Sequence, residues 1–135
     1  MRITKRDYYL GIAEAVSKRS TCLRRQYGAV IVNNDEIVAT GYNGAPRGQV
    51  NCCDVGECWR ETNHIPHGEQ YEKCLAVHAE QNAIISAPRD KMIGATLYLY
   101  GSENGKTIDA FPCEICKRLM DNAGIFWLES SKGDD

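Results

Sequence analysis

No stretch of the 135-residue chain stays apolar for the roughly 18–20 residues that a bilayer-crossing helix needs, so a membrane span is not expected. An excess of one charge is missing too: 16 basic and 18 acidic side chains leave a net charge of −2. Wrapping a long nucleic acid takes a basic surface, which sets that class of partner aside, RNA editing included. One or two arginines still suffice to hold a single phosphate. The first residues, MRITKRDYYL, have no apolar core of a secretory leader, and cytoplasmic residence is the expectation. Internal repeats and low-complexity segments are absent.

What the chain has in quantity is cysteine: seven, at Cys22, Cys52, Cys53, Cys58, Cys74, Cys113 and Cys116. An odd count without an export signal argues against a disulfide framework and for metal binding or catalysis. With 43% apolar and 25% charged residues, the composition is that of an ordinary globular protein. The length suits one domain over residues 1–135, with a real core.

Thr4 to about Lys18 reads as a helix. Thr4 is its cap, Asp7 stands at the third helical position, and Tyr8, Ile12 and Ala15/Val16 make an apolar stripe. YGAVIVNN and EIVATGYN read as two strands joined by the turn signal NND. A Cys/His-rich loop follows at about 44–74, where GAPRGQVNCCDVGECWRETNHIPHGEQ shows neither helix nor strand spacing. So long a loop needs an anchor. Ordering a residue costs about 1–2 kcal/mol, and a metal clip is the candidate for offsetting it.

His78 to about Ala87 is the next helix, with Ala79, Ala83 and Ile84 inward and Pro88 ending it. GATLYLYG reads as a strand and GSENGKTIDAF as a loop. Pro112 is placed at the first position of a helix running to about Ala123 and closed by Gly124. IFWLESS is a last strand, and KGDD a frayed tail. The order α, β, β, loop, α, β, α, β implies one sheet with helices on its faces. Met92, Ile93, Leu97 and Leu99 serve either a core or an interface; the pattern does not choose.

Three borderline-soft ligands fall at helix starts: His78 in HAE, and Cys113 and Cys116 in PCEIC. Catalytic zinc sites commonly take three protein ligands and leave a fourth position for water. The Cys113–Cys116 spacing puts two thiolates one turn apart on one helical face, where outward-pointing amide groups favour the ionised sulfur. Glu80 is read as a proton shuttle rather than a ligand: beside a zinc-activated water it takes a proton and passes it to a substrate nitrogen. HxE followed by PCxxC is the signature of zinc-dependent nucleobase deaminases. A lone CxxC has a redox reading and a lone HxE is uninformative; the combination is what carries the signal.

The segments TCLRRQYGAVIVNNDEIVATGYNGAPRG, CLAVHAEQNAI, GATLYLYG and PCEICKRLMDNAGI resemble the deoxycytidylate deaminase family, bacterial and phage members included. GYNGAPRG and CLRRQ are the discriminating pieces. The resemblance implies a three-layer α/β/α cytidine-deaminase-like sandwich around a mixed five-stranded sheet. It implies conversion of dCMP to dUMP and ammonia, a homo-oligomer that is a hexamer in many members, activation by dCTP and inhibition by dTTP. It makes His78, Cys113 and Cys116 the catalytic zinc ligands and Glu80 the shuttle. Asn43 would meet the sugar, and the N–H of Ala79 would hold the base carbonyl. A loop amide such as Asn43 can donate to and accept from a hydroxyl. Arg24, Arg25 and Arg47 are the candidates for the 5′-phosphate, by the fit of the guanidinium fork, and the same loops suit an allosteric nucleotide instead; the sequence does not separate these roles.

Some family members carry a second, structural zinc. Cys22, Cys52, Cys58 and Cys74 match best here, with His64 and His67 as alternates for Cys58 or Cys74; Cys53 is then spare, although the adjacent thiols of NCCDVGECW leave Cys52 and Cys53 open. Tyr42, Trp59, Tyr71 and Tyr98 are possible stacking partners for a base, with Tyr98 read as core and Trp59 as a cover for zinc sulfurs. Two other functions stay open. One is deamination of dCTP or another cytosine nucleotide; the other is a non-catalytic, zinc-stabilised nucleotide-binding protein.

Overall fold

The computed structural model describes residues 1–51, 53, 56, 63–64 and 76–133. Its first helix, α1 (Lys5–Ser17), starts as the sequence implies: Thr4 Oγ1 accepts from the backbone N–H of Asp7 at 3.1 Å. The buried stripe is displaced from the expected one. Tyr9, Leu10, Ala13 and Ser17 face inward, while Tyr8 is 49% exposed and Ala15 is exposed. Tyr9 takes the inward place because its hydroxyl donates to Asp35 Oδ1 at 2.5 Å, and the Tyr8 ring packs against it, tilted by 56° at 4.8 Å between centroids. This fastens α1 to the first hairpin.

Strands β1 (Gln26–Asn33) and β2 (Glu36–Tyr42) form that hairpin. Its turn residues Asn34 and Asp35 both have positive φ, 52° and 62°, as a right-twisted two-residue turn requires. Helix α2 is Ala79–Ser86 and a short α3 is Arg89–Met92, which the sequence did not signal. Strand β3 (Thr96–Glu103) is followed by β4 (Lys106–Ile108). The segment read as a loop is thus a second hairpin, turning at Asn104 and Gly105, both at positive φ. Helix α4 is Glu114–Ala123 and β5 is Trp127–Ser130. Cys113, not Pro112, borders α4: Cys113 is the cap, and Pro112 lies one residue outside.

The sheet runs β2-β1-β3-β4, antiparallel throughout, and β5 pairs in parallel with the opposite end of β3. This is the mixed five-stranded sheet of the expected class. Strand alternation sends Val30, Val32 and Tyr100 to one face against Tyr9 and Ala13 of α1. It sends Ala29, Ile31, Leu97 and Leu99 to the other, against Ala79, Ala83, Met120 and Ala123. Each fully buried aliphatic side chain here stabilises by about 1.5–3 kcal/mol. Met92, Leu97 and Leu99 are therefore core residues, and Ile93 is 65% exposed. Tyr98 is half-buried against Tyr9, as read.

Two glycines let the layers close. A Cβ on Gly28 would overlap the carbonyl oxygen of Ala13 and reach 2.7 Å from Ser17 N; one on Gly41 would overlap Ala79 O and Ala83 N. Backbones of α1 and α2 therefore lie directly on β1 and β2. The end of the chain is tied down rather than frayed up to residue 133. Ser131 Oγ donates to Ile108 O and accepts from Gly101 N, and Gly133 N donates to Asp109 Oδ1 at 2.8 Å. No helix among the described residues is long and apolar enough to cross a membrane.

Candidate metal centre

His78 is the cap of α2, and Cys113 is the cap of α4. The β3–α4–β5 crossover puts the start of α4 at the carboxyl end of β3. A bridge between Gly44 and Val77 brings the start of α2 to the same end of the sheet, with Val77 N donating to Gly44 O at 2.7 Å. Gln81 Oε1 accepts from His78 N at 2.8 Å, and Asn82 Nδ2 donates to Tyr42 O at 2.8 Å, so the first turn of α2 is pinned on both sides. The His-x-x-Gln spacing was a readable capping signal.

The consequence is a compact donor set. The ligating atoms of His78, Cys113 and Cys116 all lie within 4.8 Å of one another. His78 Nδ1 is 3.3 Å from Cys116 Sγ and 3.5 Å from Cys113 Sγ. A tetrahedral zinc with Zn–S near 2.3 Å and Zn–N near 2.0–2.1 Å separates nitrogen from sulfur by about 3.5 Å. The donor set therefore fits zinc in both chemistry and spacing.

Glu80, the second residue of α2, is 5% exposed. His78 precedes the helix, so the two-residue spacing does not turn Glu80 away from the donors, and it reaches the thiol of Cys116. Burial pushes its carboxyl above the ordinary range, against the opposing pull of its own backbone N–H and of Cys116. Burial, then the charges of Glu80 and Cys113, push the Cys116 thiol up as well. Ionising this carboxyl together with the neighbouring thiols would leave uncompensated negative charge, which a divalent cation would relieve.

The remaining candidates fall into three groups. Ala79 opens α2, where the helix provides no acceptor for its N–H. Asn43 follows β2 at the same end of the sheet, and its side chain binds Ser20, Arg25 and Tyr27. Of the arginines, Arg47 is exposed and Arg24 is half-buried. Arg25 Nε lies 3.6 Å from Glu103. Burial alone would lower its pKa, but the Tyr27 hydroxyl and Glu103 outweigh that and hold the guanidinium charged.

Cys22 is half-buried and Cys53 is exposed; the N–H of Cys53 donates to Thr21 O at 3.1 Å, returning the long loop to the segment that carries Cys22. His64 is exposed. Cys52, Cys58, Cys74, His67, Trp59 and Tyr71 lie outside the described residues. Ser20 and Tyr27 had no motif to mark them.

A nitrogen and two sulfurs converging beside a buried carboxylate define a metal centre of the hydrolytic kind. The chain belongs to the cytidine and deoxycytidylate deaminase family, whose zinc-binding region matches residues 3–127. It is 38% identical over 123 residues to the deoxycytidylate deaminase of Mycobacterium phage D29, covering 88% of both chains. Against the deoxycytidylate deaminase of Schizosaccharomyces pombe (strain 972) it is 36% identical over 119 residues, covering 88% of this chain and 34% of that one. The chain thus spans about a third of the fission-yeast relative and most of the phage one. In three dimensions it matches the dCMP deaminase of cyanophage S-TIM5 in apo form, with a TM-score of 0.67 at 26% identity over 98% of this chain and 86% of that. The complex of that enzyme with dCMP and dUMP matches at a TM-score of 0.62, over 97% and 85% of the two chains.

Proposed function

We propose that the chain hydrolyses dCMP to dUMP and ammonia. The observation that carries this is the buried Glu80 carboxyl beside the His78–Cys113–Cys116 donor set. His78, Cys113 and Cys116 would hold a zinc, whose positive charge would bring a water's pKa to about 7. Glu80 takes a proton from the water and delivers it to N3 of the cytosine. A bond from the water oxygen to C4 forms, the C4–amino bond breaks, and Glu80 passes the second proton to the departing nitrogen. Ala79 N–H holds the base carbonyl, Asn43 meets the sugar, and the phosphate falls to Arg24, Arg25 or Arg47. Names of relatives and the dCMP/dUMP complex of the cyanophage enzyme support this substrate.

The same reading includes a second, structural zinc drawn from Cys22, Cys52, Cys58 and Cys74, with His64 and His67 as alternates. It also includes dCTP as activator, dTTP as inhibitor, a homo-oligomer such as a hexamer, a single catalytic domain and cytoplasmic residence. Ammonia release and the ultraviolet change should be followed with dCMP, dCTP, CMP and deoxycytidine, each with and without dCTP or dTTP as effector. Fast turnover of dCMP alone is expected. Preference for dCTP would replace dCMP as substrate. Binding without turnover under every condition would favour a non-catalytic nucleotide-binding protein, which the retained Glu80 argues against.

A further inference from the structure

The side-chain amide of Asn43 is 8% exposed as part of its residue and almost fully engaged within the protein. Oδ1 accepts from Ser20 Oγ at 2.6 Å and from Tyr27 N at 2.9 Å; Nδ2 donates to Arg25 O at 2.9 Å. Tyr27 and Arg25 fix which end is oxygen. A reversed amide would set N–H against the N–H of Tyr27 and oxygen against the carbonyl of Arg25. Both lone pairs of Oδ1 are taken. What is left is one N–H of Nδ2, without an acceptor among the described residues. The sequence leaves Asn43 able to donate and to accept; the structure leaves it a donor only.

We propose that Ser20 is a positioning residue for nucleotide binding: its hydroxyl occupies the second lone pair of Asn43 Oδ1, so that the amide presents a ligand with a single donor. The proposal rests on the reading that Asn43 meets the nucleotide's sugar. Ser20 Oγ also accepts from Cys22 N at 3.3 Å, and its one proton is shared between Asn43 Oδ1 at 2.6 Å and, more weakly, Asn43 O at 2.9 Å. One hydroxyl thus ties the end of β2 to the segment bearing Cys22, Arg24 and Arg25. The sugar hydroxyl at this place accepts from Asn43 and gives its own proton elsewhere. Ligands are therefore selected for an oxygen acceptor there, and a sugar without that oxygen leaves the donor unpaired.

Calorimetric binding of dUMP and of 2′,3′-dideoxyuridine monophosphate tests this without turnover. The wild type should prefer dUMP by about 3–10-fold, the worth of one neutral hydrogen bond. In Ser20→Ala the amide keeps its polarity through Tyr27 and Arg25 but loses the shortest contact that sets its angle. The preference should therefore fall to about 2-fold or less, and Ser20→Thr, which keeps the hydroxyl, should restore it. An unchanged preference in Ser20→Ala, or an equal loss for both ligands, overturns the positioning role. Failure of the wild type to bind dUMP overturns instead the reading beneath it. Should Ser20→Ala not fold, proton exchange at Asn43 Nδ2 in the wild type decides. One proton, bound to Arg25 O, should exchange slowly, and dUMP should protect the other. Two protons already protected, or no response to dUMP, overturns the proposal.

Discussion

His78 Nδ1 lies 3.3 Å from Cys116 Sγ, across 38 residues of sequence. Neither helix holds its own ligand set; α2 contributes the nitrogen and α4 the sulfurs, so a metal there joins the two helices. Cys116→Ala should lose about one equivalent of zinc, since three-ligand sites tolerate little loss. It should also lower the melting temperature, because site formation and folding are coupled. Metal analysis and thermal unfolding of the purified variant check both.

Glu80→Gln should leave zinc content unchanged, because Glu80 stands beside the donor set and not in it. Turnover of dCMP should fall by about 10²–10⁴-fold, the usual worth of a positioned acid–base group. Retention of full turnover would remove the proton-shuttle role.

Gly41→Ala should damage both stability and rate. The added methyl would meet Ala79 O and Ala83 N of α2 and come within 2.9 Å of the Asn82 carbonyl carbon. The expected cost is about 1–3 kcal/mol or more, as for other overpacked sites. The same push displaces the helix carrying Glu80 and capped by His78, so kcat should drop. Unfolding in denaturant and steady-state kinetics separate the two effects.

Cys22→Ser should lower metal content by about one further ion if a four-coordinate structural zinc is present. Parallel variants Cys52→Ser and Cys53→Ser decide which neighbouring thiol shares it, Cys53 having its backbone already bonded to Thr21 O. Unchanged metal and melting in Cys22→Ser would place the structural site elsewhere.

Glu129 should contribute to stability in acid. Its carboxyl is lowered chiefly by the hydrogen bond from Trp127 Nε1; burial opposes this, and Arg6 adds to the lowering. A folded pKa below the unfolded value means that the unfolded chain binds more protons as pH falls. The contribution is complete above the unfolded carboxylate pKa, near 4.3, and is lost as pH falls through the folded value. Melting temperature should decline over that interval, and Glu129→Gln should flatten part of the decline while lowering the value at neutral pH.

The local features that the sequence shows are those set by neighbours along the chain. Thr4 and Asp7 gave the start of α1, the apolar alternation of YGAVIV gave β1, and HAE with PCEIC gave the metal centre, because helix-start spacing aligns ligands within one turn. The second hairpin was readable too: Asn104–Gly105 is the commonest kind of two-residue turn signal, but the polar residues around it concealed the short β4. In α1 the adjacent tyrosines were ambiguous, and Asp35, 26 residues from Tyr9, chose between them.

By itself, then, the sequence determined which atoms are present for chemistry: the histidine, two thiols and carboxylate at helix starts, and the two glycines that permit close layers. Tertiary structure alone decided how those atoms meet. The Gly44–Val77 bridge and the crossover from β3 through α4 to β5 bring both helix starts to one end of the sheet, and that convergence buries Glu80 among the donors. The polarity of Asn43 was likewise settled only in space. An amide accepts or donates according to what already occupies it, and Ser20, Arg25 and Tyr27 come to it from a separate segment.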